Sequence, residues 1–181
     1  MRLSRFIAVY CCLALLLSHP ALAQEEQDSA DRDYSEELPR IPAVAPEDAL
    51  DTFEILPGYR LEQVAAEPLV RDPVAMDFDE YGRLFVVEMR GYSEEFDAGI
   101  STVRMLTDED NDGRFDKSTV YVDGLTWPVA VAAWDGGIFV GEPPNIFYCK
   151  DTDGDGVADT KEIVYTGFGL SNVQGLMNTF L

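Results

Sequence analysis

Residues 73–88 read PVAMDFDEYGRLFVVE, and residues 128–142 repeat the pattern as PVAVAAWDGGIFVGE with one turn residue fewer. Each copy has a strand-like segment, a turn containing glycine and a second strand-like segment, which is typical of a β-hairpin. The sequence after each hairpin repeats as well, as strand, acidic loop and strand. The two acidic loops begin at Asp108 and Asp151, 43 residues apart. The chain therefore predicts two four-stranded units in series.

A four-stranded unit that recurs at this period is typical of a β-propeller, so we expect an all-β fold. The two predicted blades span residues 73–125 and 128–168, and residues 171–181 (SNVQGLMNTFL) are expected to begin the inner strand of a third. A propeller protects its strand edges by closing a ring of about four to eight blades. We therefore expect this chain to be the N-terminal, incomplete part of a propeller, inactive by itself.

The N-terminal residues predict export. Arg2 and Arg5 precede an apolar run, and Ala21 and Ala23 form a small-x-small cleavage pattern, so residues 1–23 are interpreted as a signal peptide. An uncleaved membrane anchor is the alternative, although the apolar run is short for a membrane span. The expected location is periplasmic or extracellular, with membrane association left open and no strong membrane insertion beyond the signal peptide.

Composition limits the partners of the exported chain. Residues 24–45 are acidic and poor in apolar residues, which predicts a disordered spacer before a domain at 46–181. The formal net charge of −21 argues against nucleic acid as a partner and favours metal cations. Cleavage after Ala23 would remove His19, the single histidine, and leave Cys149 as the last cysteine, which excludes an internal disulfide.

The loop DTDGDGVADTKE, residues 151–162, has the spacing of a calcium-binding loop. Calcium takes about six to eight oxygen ligands, and a glycine at the sixth position allows the chain to wrap around the ion. The predicted ligands are five carboxylates and the carbonyl of Val157; the carboxylates are those of Asp151, Asp153, Asp155, Asp159 and Glu162. The alternative is a solvated acidic hairpin without metal.

The earlier loop, DEDNDGRFD at residues 108–116, has the same pattern but Thr119 stands where the second loop has Glu162. Its predicted ligands are Asp108, Asp110, Asp112 and Asp116. Without a bidentate acid at the last position we expect weaker binding or a metal-free turn. Because strands and not helices flank both loops, calcium is expected to stabilise the fold and not to act as a signal.

In an antiparallel four-stranded unit the acidic loops leave from the same face as the turns between the first and second strands. The connections between the second and third strands and between the units gather at the opposite face. Irregular loops of this kind often carry ligand sites. The candidate lining there comprises Glu88, Arg90, Tyr92, Trp127, Glu142, Asn172 and Gln174. Arg90, Asn172 and Gln174 are candidate catalytic residues, and Glu88 and Trp127 are candidate cofactor-binding residues. For each of them a purely structural role is the alternative.

The two stretches PEDALDTFEILPGYRLEQVAAEPLVRDPVAMDFDEYGRLFVVEMRGY and TDEDNDGRFDKSTVYVDGLTWPVAVAAWDGGIFVGEPPNIFYCKDTDGDGVADTKEIVYTGFG carry a resemblance to a known family. Together they resemble the N-terminal part of proteins assigned as membrane-bound dehydrogenases, a family related to the quinoprotein glucose/sorbosone dehydrogenases. The resemblance covers about residues 46–181 and implies a six-bladed propeller of an exported oxidoreductase.

That resemblance implies pyrroloquinoline quinone as cofactor, a sugar or alcohol as substrate, and an electron-transfer cytochrome as partner. Haem c is implied only if a cytochrome domain follows. The related dehydrogenases use a histidine as base, and no residue here matches it; Arg90 is the one cation on the candidate face that would stabilise the developing charge. The alternative is a non-catalytic, calcium-stabilised propeller that binds a glycan or a protein.

Overall fold

The structure is a computed structural model that describes residues 33–38 and 40–180. The predicted signal peptide and the first part of the predicted spacer lie outside the described residues. The chain divides into two compact units, Met1–Ala43 and Val44–Leu181. In the first unit, a turn is closed by a hydrogen bond from the N–H of Leu38 to the carbonyl of Tyr34 at 2.7 Å. None of the described helices is long and apolar enough to cross a membrane.

The second unit begins with a short 3-10 helix, Pro46–Thr52. Proline at its start tolerates the missing N–H, and Glu47 and Asp48 lie in the first turn where acids are favourable. A proline followed by two acids predicts the first turn of a short helix at residues 46–53, and the structure confirms it. Residues 53–66 then form no strand, and a turn lies at residues 57 and 58.

Among the described residues, eight strands form two separate four-stranded antiparallel sheets, each with its strands in chain order. The first sheet contains β1 (Pro73–Phe78), β2 (Leu84–Glu88), β3 (Ser101–Thr107) and β4 (Lys117–Leu125). The second sheet contains β5 (Ala130–Trp134), β6 (Gly137–Glu142), β7 (Asn145–Lys150) and β8 (Thr160–Thr166). Two further 3-10 turns are Phe96–Ala98 and Val173–Gly175. These sheets confirm the predicted all-β class and the two four-stranded repeats.

The main core lies between the two sheets. It joins apolar side chains of the first sheet to side chains of β5, β6 and β7 in a single buried cluster, and its largest members are Phe85, Tyr121, Leu125 and Ile138. The Phe85 and Tyr121 rings meet edge to face, with centroids 4.9 Å apart. Both of these rings belong to the first sheet, and the cluster adds Val131, Ile138 and Cys149 from the second. Burial of apolar surface is the dominant favourable term for folding, so the cluster as a whole holds the two sheets together.

A second cluster covers the other face of the first sheet. Leu84, Val86 and Leu106 are buried there, and the side chains packed against them are Ala65, Val70 and Phe115. Ala65 and Val70 belong to the chain before β1, so residues 65–70 cover a sheet face that would otherwise be exposed to water. The segment is therefore part of the fold and not a linker.

Two segments predicted as strands are not strands in the structure. The alternation of apolar and polar residues in YRLEQVAAE, residues 59–67, predicts a strand, but this segment forms no strand. Residues 171–180 contain one 3-10 turn followed by coil. The backbone groups of a strand need a neighbour to form a ladder, and neither segment has one among the described residues. For the same reason the predicted third blade has no counterpart there, and the two sheets are open and do not close into a ring.

Candidate functional site

The second acidic loop brings three of its predicted metal ligands together. Carboxylate oxygens of Asp151, Asp153 and Asp159 all lie within 4.8 Å of one another. Asp155 lies in the same loop, where its carboxylate accepts a hydrogen bond from the N–H of Val157 at 2.8 Å. Glu162 lies on β8 opposite Tyr148 and is not a member of this three-carboxylate group. The described arrangement is thus a partial set of the predicted ligands.

Backbone N–H groups hold the first carboxylate of this loop in place. Asp151 accepts hydrogen bonds from the N–H of Gly154 at 2.7 Å and of Gly156 at 2.8 Å. Burial acts to raise the pKa of Asp151, but these hydrogen bonds outweigh it and lower that pKa overall. Gly156 has φ +88°, a conformation that glycine adopts without strain. The loop is therefore preorganised with an ionised acid at its first position.

The first acidic loop repeats this geometry. Asp108 accepts from the N–H of Asn111 at 2.7 Å and of Gly113 at 2.9 Å, the same positions as in the second loop. The clustered carboxylates are again three, those of Asp108, Asp110 and Asp116. The N–H of Asp112 lowers the pKa of Asp110, but the nearby carboxylates outweigh it and raise that pKa overall. Repulsion within the cluster is what a bound cation would relieve.

The second acidic loop is also attached to β4, the strand that precedes its own sheet. The N–H of Asp151 donates to the hydroxyl of Tyr121 at 3.0 Å, and the N–H of Ala158 donates to the carbonyl of Tyr121 at 2.8 Å. Tyr121 lies on β4, so the second loop is anchored to the first sheet. This role of Tyr121 was not predictable from the sequence, since nothing in the local pattern shows which sheet an acidic loop contacts.

At the opposite end of the sheets, Glu88 is engaged by protein groups. Its side chain is fully buried and accepts from the N–H of Arg71 at 2.7 Å, the hydroxyl of Thr102 at 2.8 Å and the guanidinium of Arg104 at 3.3 Å. A ligand would reach this carboxylate only after those hydrogen bonds were broken. The structure thus places Glu88 beneath the candidate face and not on its surface.

Glu142 has the corresponding position in the second sheet. Its carboxylate accepts from the N–H of Thr126 at 2.6 Å and lies 3.6 Å from the ammonium group of Lys161. Arg71 and Thr126 each precede the first proline of their repeat by two residues. Glu88 and Glu142 are therefore equivalent carboxylates, and each holds the segment that leads into the first strand of its own repeat.

Three aromatic rings pack at this end of the structure. The Trp127 ring meets Tyr92 at 5.2 Å and Phe96 at 4.8 Å between centroids, edge to face in both pairs. Trp127 is buried, and its indole Nε1 has no hydrogen-bond partner among the described residues. A buried donor without an acceptor is uncommon in proteins and costs free energy. Trp127 thus combines a packing role with an unused hydrogen-bond donor.

Next to these rings is an open cleft of about 430 Å³. It brings Tyr92 together with Gln174, two of the predicted lining residues, although Gln174 lies far along the chain. The other lining residues are Val74, Met89, Val129, Leu176, Met177 and Asn178. None of these six was among the residues predicted to line the face.

The remaining two candidate residues do not line this cleft. Asn172 caps the last 3-10 turn, where its side chain accepts from the N–H of Gln174 at 3.0 Å. Arg90 is half-buried, and its backbone exchanges hydrogen bonds with the hydroxyl of Ser101. Within residues 40–180 its guanidinium has no ion pair.

The family model for a domain of unknown function, DUF7133, matches residues 45–181. The chain belongs to the DUF7133 family. This match begins within two residues of the second compact unit, so the family domain and that unit are the same part of the chain. No curated protein matches the sequence.

Among solved structures, the chain is similar to one described as the iodide structure of a Trichoderma reesei carbohydrate-active enzyme of family AA12. The two are 23% identical, with a TM-score of 0.45, over 66% of this chain and 28% of that chain. The chain thus corresponds to less than a third of that enzyme's length, and a likeness of this size indicates no function.

Proposed function

We propose that this DUF7133 domain is the N-terminal part of an exported β-propeller oxidoreductase that acts on a sugar or alcohol with a quinone cofactor. The observation that carries the proposal is the cleft between the loop ends of the sheets. It joins an aromatic ring, Tyr92, to the amides Gln174 and Asn178 at the end of the sheets opposite both acidic loops. Open repeat folds often bind ligands where such loops converge.

Repeated hydrogen bonds support the propeller part of the proposal. The clasp between Glu88 and Arg71 recurs between Glu142 and Thr126, so each sheet holds its entry segment in the same way. The two sheets also pack face to face across one core. Units that repeat both their internal contacts and their packing are suited to continuing around a ring.

The residues around the cleft fit part of a site for pyrroloquinoline quinone, a planar and polyanionic molecule. Tyr92 lines the cleft and supplies an aromatic surface, and Trp127, which packs on Tyr92, has a buried N–H without an acceptor. Arg90 lies outside the lining and is the nearby cation in the sequence. When bound, the quinone would accept two electrons from the substrate's hydroxyl-bearing carbon. The residues of this chain would hold and orient it, and a proton-accepting base remains to be supplied from elsewhere.

Calcium would complete the acidic loops. Three clustered carboxylates in each loop, fixed by backbone N–H groups, are hard oxygen ligands of the kind calcium prefers. Because the second loop is anchored to Tyr121, an ion there would strengthen the contact between the sheets. The role proposed for the metal is therefore structural.

Binding of pyrroloquinoline quinone to the full chain tests this function directly. Equilibrium dialysis should show binding that weakens at least about tenfold in Tyr92→Ala and Gln174→Ala, since both side chains line the cleft. Gln63→Ala, which changes an amide outside the cleft, is the matched control and should bind as the parent does. We expect no reduction of an electron-accepting dye by the chain alone.

Two outcomes would contradict the proposal. Absence of quinone binding at millimolar concentration would remove the cofactor, and equal binding by all three variants would place the quinone outside the cleft. Binding of a glycan in the same cleft, with no quinone binding, would favour the non-catalytic alternative.

A further inference from the structure

Residues 59–66, which precede the first sheet, occupy the same position there as β4 does before the second sheet. Phe115 and Ala158 are each the seventh residue after the first aspartate of their acidic loop. The N–H of Phe115 donates to the carbonyl of Val64 at 2.9 Å, and the N–H of Ala158 donates to the carbonyl of Tyr121 at 2.8 Å. By this contact Val64 corresponds to Tyr121.

Side-chain packing gives the same correspondence independently. Ala65 packs against the cluster that contains Leu84 and Leu106, the repeat equivalents of Ile138 and Cys149. Ile138 and Cys149 belong to the cluster between the sheets, and so does Val122, the residue after Tyr121. Ala65 and Val122 are thus each part of the cluster that contains the equivalent strand residues, as the hydrogen-bond correspondence requires.

The two paths converge again before the first strand of each sheet. Val70 packs against the cluster of Leu84, Val86 and Leu106, and Leu125 belongs to the cluster between the two sheets. One residue later, the N–H of Arg71 and the N–H of Thr126 donate to Glu88 and Glu142. The chain from Val64 to Val70 is two residues longer than the chain from Tyr121 to Leu125, and the turn at residues 67–69 accommodates the two extra residues.

We propose that residues 59–66 form the fourth strand of a further four-stranded sheet. The other three strands of that sheet belong to another repeat of the same ring. In the first sheet, β4 has β3 on its inner side along the whole strand. Residues 59–66 have the position of β4 but no neighbour there among the described residues. Their open backbone edge is the docking surface, and its partner is an antiparallel strand with the alternation of β3.

The inference rests on the proposed ring of repeats, because only a ring brings the last repeat of a domain next to its first segment. A second copy of the described residues does not supply that neighbour. In such a copy β1 to β3 already pair with their own β4, so its first sheet has no vacant fourth position. The partner must be a sheet that has three strands of its own.

A peptide with the sequence of residues 100–108, ISTVRMLTD, is the probe, since it carries β3 without β4. Mixed with the full chain, it should slow amide hydrogen exchange in residues 59–66 at least about tenfold, and a scrambled peptide should not. Leu61→Pro removes an N–H from this segment and should abolish the protection. Leu61→Ala, which keeps the N–H, should retain it. Unchanged protection of β2 and β6 would show that both variants are folded.

Protection of β8 in place of residues 59–66, or no protection by the peptide, would overturn the inference. Equal protection in Leu61→Pro and Leu61→Ala would overturn it as well, because pairing would not involve this backbone. The readout involves no quinone. Loss of quinone binding with intact peptide pairing would therefore contradict the proposed function alone, and the reverse result would contradict this inference alone.

Discussion

Glu142 accepts a hydrogen bond of 2.6 Å from the backbone N–H of Thr126, the residue that enters the second sheet. The first sheet has the same relationship between Glu88 and Arg71, at 2.7 Å. A carboxylate that receives a backbone N–H at the same place in two repeats is a device for joining consecutive units. It ends each second strand and fixes the path of the chain into the next hairpin.

Removal of the Glu88 carboxylate should destabilise the protein strongly. Glu88→Ala would leave the N–H of Arg71, the hydroxyl of Thr102 and the guanidinium of Arg104 without their acceptor. We expect a loss of about 3 kcal/mol in the free energy of unfolding, measured by urea denaturation. Glu80→Ala, which removes an exposed carboxylate in the turn after β1, should cost less than about 0.5 kcal/mol. A loss of quinone binding in Glu88→Ala without loss of stability would instead support the cofactor-binding hypothesis for this residue.

Calcium should stabilise the protein through the second acidic loop. A free calcium concentration of 100 times the dissociation constant should add about 2.7 kcal/mol to the free energy of unfolding. Asp151→Ala should remove most of that gain, and Asp108→Ala should remove less, because the first loop lacks an acid at its last position. Glu54→Ala, outside both loops, is the control. Melting curves that coincide with calcium and with chelator would eliminate the metal hypothesis.

The hydroxyl of Tyr121 should contribute to the contact between the second loop and the first sheet. Tyr121→Phe keeps the ring packed on Phe85 but removes the acceptor of the Asp151 N–H. The expected cost is about 1 kcal/mol, together with faster amide exchange at Asp151. Tyr148→Phe removes an exposed hydroxyl that contacts Trp134 and Asp135, and it should cost less. An equal cost for the two variants would mean that the Tyr121 hydrogen bond has no special part in this contact.

Cys149 should resist alkylation in the folded protein. Its side chain is fully buried on β7, and burial raises the pKa of its thiol to about 11, so little reactive thiolate forms at neutral pH. Iodoacetamide labelling followed by mass spectrometry of the peptide that contains Cys149 should show almost no modification in buffer and complete modification in urea. Rapid labelling in buffer would show that the core between the two sheets opens readily.

The sequence was sufficient for the strands that pair within one repeat. Alternation around Gly82 and Gly136, and the two acidic loops, predicted eight strands, and all eight form, because hairpins are made by residues that are close in the chain. The acidic loops were also predictable, since the hydrogen bonds within each loop connect residues at most seven positions apart, as between Thr152 and Asp159.

Contacts between distant residues were not predictable from the pattern. The burial of Glu88 depends on Arg71 and Arg104, and the cleft depends on Gln174 coming next to Tyr92. The strand predicted at residues 59–67 did not form a ladder, because alternation shows that a segment can pair but not that a neighbour is present.

By itself, the sequence determined the all-β class, the two four-stranded repeats and the spacing of the acidic loops, because each depends on residues close together in the chain. The tertiary structure alone decided which carboxylates lie in the loops and which are buried against backbone from a distant part of the chain. Glu88 and Glu142 look like surface acids in the sequence, and they are buried where the chain enters each sheet. Burial depends on packing between distant segments, which a local pattern of residues does not contain.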